Sequence, residues 1–143
     1  MKEKIFKHKF RAWCDKQKYM AYEGTADLMT TQSFMHHFSD SLLMLWTGYK
    51  DKNDKDIFEG DLITSPNGQI KLALVFYSQS SFWYKQWCDM YNEWSIHELG
   101  WLENYGTDKV GILHWSCNRI AVEVVGNIFE NAELLDSVAQ HSI

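Results

Sequence analysis

The segment at residues 47–63, TGYKDKNDKDIFEGDLI, constrains the fold more than any other part of the chain. A polar turn rich in Lys, Asp and Asn leads into the apolar pair Ile57 and Phe58, and an EGD tripeptide then precedes an apolar strand. Such a segment is typical of a hairpin entry into a β-barrel, and Gly60 stands where the backbone needs a conformation that other residues resist. Because the segment contains no nucleophile, metal-ligand set or phosphate loop, it predicts architecture and no chemistry.

Short strands separated by turns account for most of the remaining chain. Residues 4–14 alternate apolar and polar side chains and residues 19–22 return beside them, which predicts an N-terminal hairpin. Residues 25–40 and 90–108 are predicted to be irregular, and the first of these segments can contain one short helix. Asn131 is a predicted N-cap of a short C-terminal helix. The other predicted strands are 42–46, 61–64, 69–77, 82–87, 110–117 and 120–125, with a hairpin turn at Asn67-Gly68. The predicted fold class is mainly β, a small barrel with minor helix.

A chain of 143 residues with a single proline and no Gly/Ser-rich tract fits one domain. We predict an N-terminal hairpin and irregular segment over residues 1–46. The barrel is predicted over residues 47–131, and the C-terminal helix over residues 132–143.

Positive charge is concentrated at the start of the chain. Seven of the 14 Lys and Arg residues, against two acids, lie within residues 1–18, so this stretch carries +5 while the whole chain carries −5. On the alternating strand, Lys7, Lys9 and Arg11 share one side, which predicts a basic outer face. The acidic remainder disfavours non-specific duplex binding, yet a local basic strand can contact phosphate.

The pattern of apolar residues predicts a cytoplasmic protein. The first residues alternate instead of forming the apolar core of a signal peptide, and no stretch approaches the roughly 20 apolar residues of a membrane span. The three cysteines, Cys14, Cys88 and Cys117, are an odd number in a chain of this size, so reduced thiols are expected.

Three separated blocks resemble the YopX family of small proteins encoded by bacteriophages and prophages. The first, KFRAW at residues 9–13 followed by Asp15, resembles the family's opening KFRAWD motif. The second, TGYKDKN at residues 47–53 with IFEGD at 57–61, is similar to TGxKDKNGKxIYEGD. The third, VGNIFEN at residues 125–131 with ELL at 133–135, is similar to VIGNIYENPEL. The resemblance implies a single YopX-like domain on an SH3-type β-barrel, and it supplies no enzymatic activity to assign to particular residues.

The departures from these motifs are local. Cys14 interrupts the first motif, Asp54 stands where the family often has Gly, and Ala132 replaces the usual Pro before the final helix. Phe58 and Phe129 replace Tyr, which predicts that these two rings serve packing and not hydrogen bonding.

Two metal-site interpretations are weak. The acidic run from Asp51 lacks the glycine and the terminal glutamate of a calcium loop, and its interleaved lysines repel cations, so a solvated turn is predicted. Cys88, His97, His114 and Cys117 contain one close pair of ligand type where a zinc site usually has two. We therefore predict buried free thiols, no metal and no cofactor.

Aromatic residues are dense between Phe82 and Trp101. Both sides of strand 82–87 carry rings, so Trp83, Tyr84 and Trp87 do not all fit a one-sided core. These rings can pack in the core or against a second copy, anchor a protein partner, or stack on bases. Seven Trp and eight Phe exceed what a small barrel easily encloses, which predicts a homo-oligomer, most simply a two-fold dimer.

The sequence contains no assembled active site, so we predict a non-enzymatic interaction module of a phage or prophage, working in the bacterial cytoplasm. A host or phage protein is the expected partner. The alternative is a nucleic-acid-binding barrel in which Lys7, Lys9 and Arg11 contact phosphate and exposed rings stack on bases. Candidate binding residues are therefore Lys7, Lys9, Arg11, Trp83, Tyr84 and Trp87.

Overall fold

Two antiparallel sheets form the fold in this computed structural model, which describes residues 9–23, 31–65, 68, 70–88, 90–102 and 120–140. The first sheet contains β1 (Phe10–Cys14), β2 (Tyr19–Tyr22), β3 (Leu42–Lys50) and β4 (Asp56–Phe58). These strands lie in the order β2-β1-β3-β4.

The second sheet contains β5 (Asp61–Thr64), β6 (Ala73–Ser78), β7 (Ser81–Cys88), β8 (Glu93–Glu98) and β9 (Glu123–Asn127). They lie in the order β8-β7-β6-β5-β9. The described residues contain two α-helices, α1 (Thr31–His37) and α2 (Ala132–Gln140), and a 3₁₀ helix at Leu99–Trp101. The predicted fold class, mainly β with an N-terminal hairpin and a short C-terminal helix, is confirmed, and one sheet curls into half a barrel, consistent with the SH3 type.

The N-terminal hairpin is covered on both faces of β1, which decides where its side chains lie. Ala12 and Cys14 pack with Phe34 and Phe38, in and after α1, to form a small separate core. Arg11 and Trp13, on the opposite face of β1, are also buried. Alternation correctly assigns side chains to two faces, but here neither face is open to water.

The main core lies on the inner side of the five-stranded sheet. It is formed by the buried residues Ile57, Ile63, Ile70, Ala73, Val75, Tyr84, Leu99, Leu102, Ile120 and Val122. β4 therefore contributes to this core although it belongs to the first sheet, so both sheets share one apolar interior.

Gly60 makes the turn between the two sheets, as the sequence predicts. Its φ of +91° is a conformation that residues with a side chain rarely adopt. Its N–H donates to the carbonyl of Val75 at 2.7 Å, and its own carbonyl accepts from the N–H of Ile128 at 3.0 Å. The turn thus connects β4 with β6 and with the segment after β9.

The segments that carry the family resemblance meet in space. Arg11 of the first forms an ion pair with Asp61 of the second, with Nη1 and Oδ1 2.7 Å apart. Trp13 of the first stacks on Phe129 of the third, with ring centroids 5.5 Å apart. Phe129 therefore packs, as its missing hydroxyl predicts.

Three predictions about local structure need correction or completion. Residues 93–98 form β8 where an irregular segment is predicted, because this strand is held by pairing with β7 along its whole length. β3 is longer than the predicted strand at residues 42–46, and although that apolar run predicts a buried strand, Leu42 at its start is 57% exposed. β3 also crosses the predicted boundary at residues 46 and 47, while the division of the chain itself stays a prediction. The predicted strand at 110–117 and the Asn67 position of the turn lie outside the described residues.

The C-terminal helix begins at Ala132, directly after the predicted N-cap. The side-chain oxygen of Asn131 accepts the N–H of Asn127, 3.1 Å away, and so ties the start of α2 to the end of β9. Gly126 permits this approach, because a Cβ at that position would lie 2.6 Å from Cγ of Asn131. Among the helices described, none has the length and apolarity needed to cross a membrane.

Candidate interaction face

Strand β7 separates the three aromatic candidates of the sequence onto two sides of the sheet. Tyr84 points inward and is buried in the main core, where its ring lies 5.4 Å from that of His97. Trp83 and Trp87, one residue before and three after, share the opposite, outer side with Lys85, because side chains alternate along a strand. The prediction that these rings do not share a one-sided core is confirmed.

The neighbouring strand β8 extends this outer side. Its register pairs Trp87 with Trp94 and Lys85 with Ile96, so these partners lie on one face of the sheet. The rings of Trp87 and Trp94 meet edge to face with centroids 5.4 Å apart, and the Lys85 ammonium lies 5.2 Å from the Trp94 ring centre. We call Trp83, Lys85, Trp87, Trp94 and Ile96 the aromatic face.

The aromatic face differs from an ordinary solvent-facing sheet. The solvated side of an antiparallel sheet is usually polar, whereas here three indoles and an isoleucine that is 55% exposed surround one lysine. The indole N–H of Trp83 donates to the carbonyl of Ser78 at 2.9 Å. The Trp87 Nε1 is buried without a hydrogen-bond partner among the described residues. The face is therefore apolar, partly open and not fully satisfied in its hydrogen bonding.

An apolar groove continues the same side of the sheet beyond β7. Phe76 pairs with Trp83, and Leu74 pairs with Lys85, so both β6 residues lie on the side of the aromatic face. They line a groove of about 230 Å³ between the two sheets. Its other apolar lining residues include Leu42, Leu43, Met44 and Phe129.

The tip of the β7–β8 hairpin is also apolar. Met90 is 83% exposed and Tyr91 is 71% exposed, and Asn92 completes the turn with a φ of +55°. These two side chains are the most exposed large apolar residues in the described part of the chain. The hairpin thus presents an apolar end at a site where turns are usually polar.

The predicted basic outer face is wrong for Arg11. Arg11 is 3% exposed and forms its ion pair with Asp61 in the interior, because the second sheet covers that side of β1. Lys9 donates to Asp56 at 2.8 Å, and its ammonium lies 4.3 Å from the centre of the Trp46 ring. Lys7 lies outside the described residues. The two described basic candidates are therefore already paired with carboxylates.

The Arg11–Asp61 pair is the most buried ionic contact in the described residues. Arg11 Nη2 donates to the carbonyl of Glu59 at 3.0 Å, and its guanidinium carbon lies 4.9 Å from the Phe58 ring centre. Asp61 also accepts the N–H of Phe58 at 2.8 Å. Burial raises the pKa of Asp61, although the charge of Arg11 opposes that shift. The pair joins the two sheets across the interior.

The pKa of Asp56 is lowered, whereas the pKa of Asp61 is raised. Burial alone would raise its pKa, but the ion pairs with Lys9 and Lys50, at 2.8 and 3.0 Å, outweigh burial and lower it. A carboxyl whose pKa is lower in the folded protein stabilises the fold above its unfolded pKa, near 3.8, and loses that effect as pH falls through the folded pKa.

We therefore expect Asp56→Asn to lower the free energy of unfolding by up to about 1 kcal/mol at pH 7, since the ion pairs are partly exposed. The difference from wild type should shrink as pH falls below about 4. Urea denaturation at pH 7 and at pH 3 measures both values. If the stability difference between Asp56→Asn and wild type is equal at pH 7 and pH 3, the lowered pKa of Asp56 is contradicted.

The carboxylate of Asp51 accepts hydrogen bonds from backbone N–H groups of its own turn and of β9. Asp51 is 1% exposed, and its carboxylate accepts the N–H groups of Asn53, Lys55 and Val124 at 2.8, 2.9 and 3.0 Å. The prediction of a solvated turn is thus wrong for this residue. Asp54 takes the left-handed conformation with a φ of +68°, as a glycine would at that position.

Only two of the four residues of the zinc interpretation, Cys88 and His97, lie in the described part of the chain. Within the described ranges no group of three or more His, Cys, Asp or Glu side chains is arranged to hold a metal ion. His114 and Cys117 lie outside those ranges, and Cys14 and Cys88 are free thiols. His97 instead forms a short hydrogen bond with Ser95, 2.5 Å apart, on the inner side of β8.

Lys85, Trp94 and Ile96 are the members of the face that are absent from the binding residues predicted from the sequence. Their signal was alternation: residues 94, 96 and 98 share one side of a strand, as do residues 83, 85 and 87. Polar residues at other positions of residues 90–108 make the alternation hard to recognise, so the sequence predicts an irregular segment there.

Comparison with known proteins agrees with the resemblance in the sequence. The model of the YopX family, described as YopX protein, matches residues 9–136. A search of curated proteins found no match to this chain. Among solved structures, protein EF1440 from Enterococcus faecalis is similar, with 23% identity and a TM-score of 0.49 over 92% of this chain and 99% of that one. Because the family model spans the strands of both sheets, from β1 to β9, and the start of α2, the chain belongs to the YopX family.

Proposed function

We propose that the protein is a non-enzymatic interaction module of a phage or prophage, and that its aromatic face binds a protein in the bacterial cytoplasm. The observation that carries the proposal is the outer side of β7 and β8, where three tryptophans surround Lys85. Trp is enriched at the centres of protein interfaces, where a large ring buries about 150–250 Å².

A protein surface offers apolar side chains and backbone groups together, which suits a face where three indoles and Ile96 lie around one lysine.

Nucleic acid is the less supported partner. Phosphate neutralisation requires available cations, yet Arg11 is buried against Asp61 and Lys9 is paired with Asp56. On the aromatic face, Lys85 lies beside Trp94, while Glu98 at the end of β8 adds a negative charge.

Site-directed photo-crosslinking in bacterial cells tests the proposal. A photoreactive phenylalanine analogue at Glu98, which is exposed beside the face, should form a discrete adduct that mass spectrometry identifies as protein. The same analogue at Tyr19, which is 44% exposed on β2, is the matched control position and should give none.

Adding Ile96→Asp should abolish the adduct at position 98, because it places a charge in the apolar face without removing a buried group. Met35→Asp, at a residue that is 40% exposed on α1, is the control substitution and should leave the adduct unchanged. An adduct removed by nuclease would support nucleic acid instead, and equal labelling from positions 98 and 19 would overturn the proposed face.

A further inference from the structure

We propose that the partner which occupies the aromatic face is a second copy of this chain, and that the hairpin tip at Met90 and Tyr91 of each copy enters the apolar groove of the other. This inference rests on the proposed function, since it names the partner of the same face.

One chain carries two complementary apolar features. It has an exposed apolar tip, with side chains 83% and 71% exposed, and also an apolar groove of about 230 Å³. The groove borders the aromatic face along β6, level with Trp83 and Lys85, whereas the tip lies beyond Cys88 at the end of β7. In a two-fold dimer a contact from one copy to the other is repeated in reverse, so two tips fill two grooves at once.

The distance along β7 decides where a two-fold axis would pass. The groove borders the level of Trp83, through its pairing with Phe76, and β7 ends at Cys88, about 17 Å further on. The midpoint of β7 between these residues lies near Lys85, and the tip at Met90 and Tyr91, which lies beyond Cys88, moves the midpoint between groove and tip toward Trp87. The Trp87–Trp94 pair then packs against its own symmetry copy at the centre of the contact.

The area of the aromatic face alone is small for a dimer interface. Three strands spaced about 4.8 Å apart and about 20 Å long offer roughly 280 Å² of flat face. A stable interface buries about 800 Å² on each partner, so the face alone is too small. Two tip–groove contacts supply the additional apolar area.

Charge limits where two copies can meet. The chain as a whole carries −5, which opposes association of identical copies. On the outer side of β7 and β8, Lys85 and Glu98 balance one another, whereas Glu59 adds one negative charge at the groove. The outer side of these two strands therefore adds no net charge to the contact.

Light scattering behind size exclusion measures the mass, and we expect about 34 kDa, twice the 16.9 kDa of one chain. Dilution in the analytical ultracentrifuge then gives the dissociation constant of the dimer. Met90→Asp/Tyr91→Asp, at the exposed tip, should raise that constant by at least about 30-fold for each lost contact. Leu42→Asp, at the exposed rim of the groove, should act in the same way, whereas Met35→Asp is the matched control and should leave the dimer intact.

Mixing the tip variant with the groove variant distinguishes exchange of the two tips from simple packing of the two faces. The mixed dimer rebuilds one normal tip–groove contact, which neither variant forms alone, so mixing should restore part of the dimer. No recovery on mixing, or a wild-type mass near 16.9 kDa, would overturn the inference. A monomer that still gives a protein adduct at position 98 would overturn only the self-association and leave the proposed function standing.

Discussion

Replacing Arg11 by methionine is expected to lower the free energy of unfolding by about 3–5 kcal/mol, because it leaves a buried carboxylate without its partner. The ion pair joins atoms 2.7 Å apart, and both side chains are at most 3% exposed. Removal of Arg11 also leaves the carbonyl of Glu59 without a donor. Guanidinium chloride denaturation measures the loss, and a value within about 0.5 kcal/mol of wild type would show that the pair is not structural.

The pH dependence of this variant supplies a second measurement. Burial raises the pKa of Asp61, and without Arg11 the only opposite charge left to oppose that effect among the described residues is Lys55, whose influence is the weaker of the two. A carboxyl whose pKa is raised in the folded protein binds more protons there, so its stability contribution falls as pH rises above the unfolded value of 3.8. The stability lost by Arg11→Met should therefore be larger at pH 8 than at pH 5.

The matched control is a double substitution that removes both charges. Asp61→Leu alone should cost a similar amount, since it leaves the guanidinium buried and uncompensated. Arg11→Met/Asp61→Leu should be more stable than the sum of the two single losses predicts, because an apolar pair of similar volume leaves no unpaired charge. Strict additivity of the two losses would contradict direct coupling between the side chains.

Asp51→Ala is expected to lower the free energy of unfolding by about 3 kcal/mol, because three N–H groups lose the carboxylate that accepts them. One of the three belongs to Val124, 73 residues away in sequence, so the carboxylate holds the turn at residues 51–55 against β9. For a chain of this size, such a loss lowers the melting temperature by roughly 10 °C.

Hydrogen exchange locates the effect of this substitution. The amides of Lys55 and Val124 should lose more protection in Asp51→Ala than the drop in global stability explains. An amide within β7 should lose only as much as that drop explains. Asp54→Asn is the matched control, because asparagine tolerates the positive φ at that exposed position and should stay within about 0.5 kcal/mol. Added Ca²⁺ should leave the wild-type melting temperature unchanged, and a clear rise would restore the calcium interpretation of this turn.

Local patterns determined much of the fold. The hairpin of β1 and β2 follows from strict alternation around a turn, and the position of Gly60 follows from the polar turn and apolar strand on either side of it. The helix after Asn131 follows from a short apolar stripe behind a capping residue. These signals are local, since each needs only about ten neighbouring residues to be read.

Strand β8 and the aromatic face could be predicted only in part. The sequence predicted that Trp83, Tyr84 and Trp87 do not all fit a one-sided core, and the structure confirms it, with Tyr84 in the core and the two tryptophans on the other side. It did not place Trp94 beside Trp87, because that contact depends on the register between two strands, and register is set by the hairpin and by burial of the opposite side. The exposure of Met90 and Tyr91 likewise depends on the β7–β8 hairpin, which places them at its tip.

The sequence by itself determined the family, the mainly β class and the two sides on which the side chains of β1 and β7 lie, because strand alternation is a property of the backbone. Only the tertiary structure decided which of those sides is covered. Arg11 lies on the predicted side of β1, yet that side is closed by Asp61 and the second sheet, whereas the Trp83 side of β7 remains partly open. Burial depends on what distant segments pack above a strand, and no pattern within the strand records it.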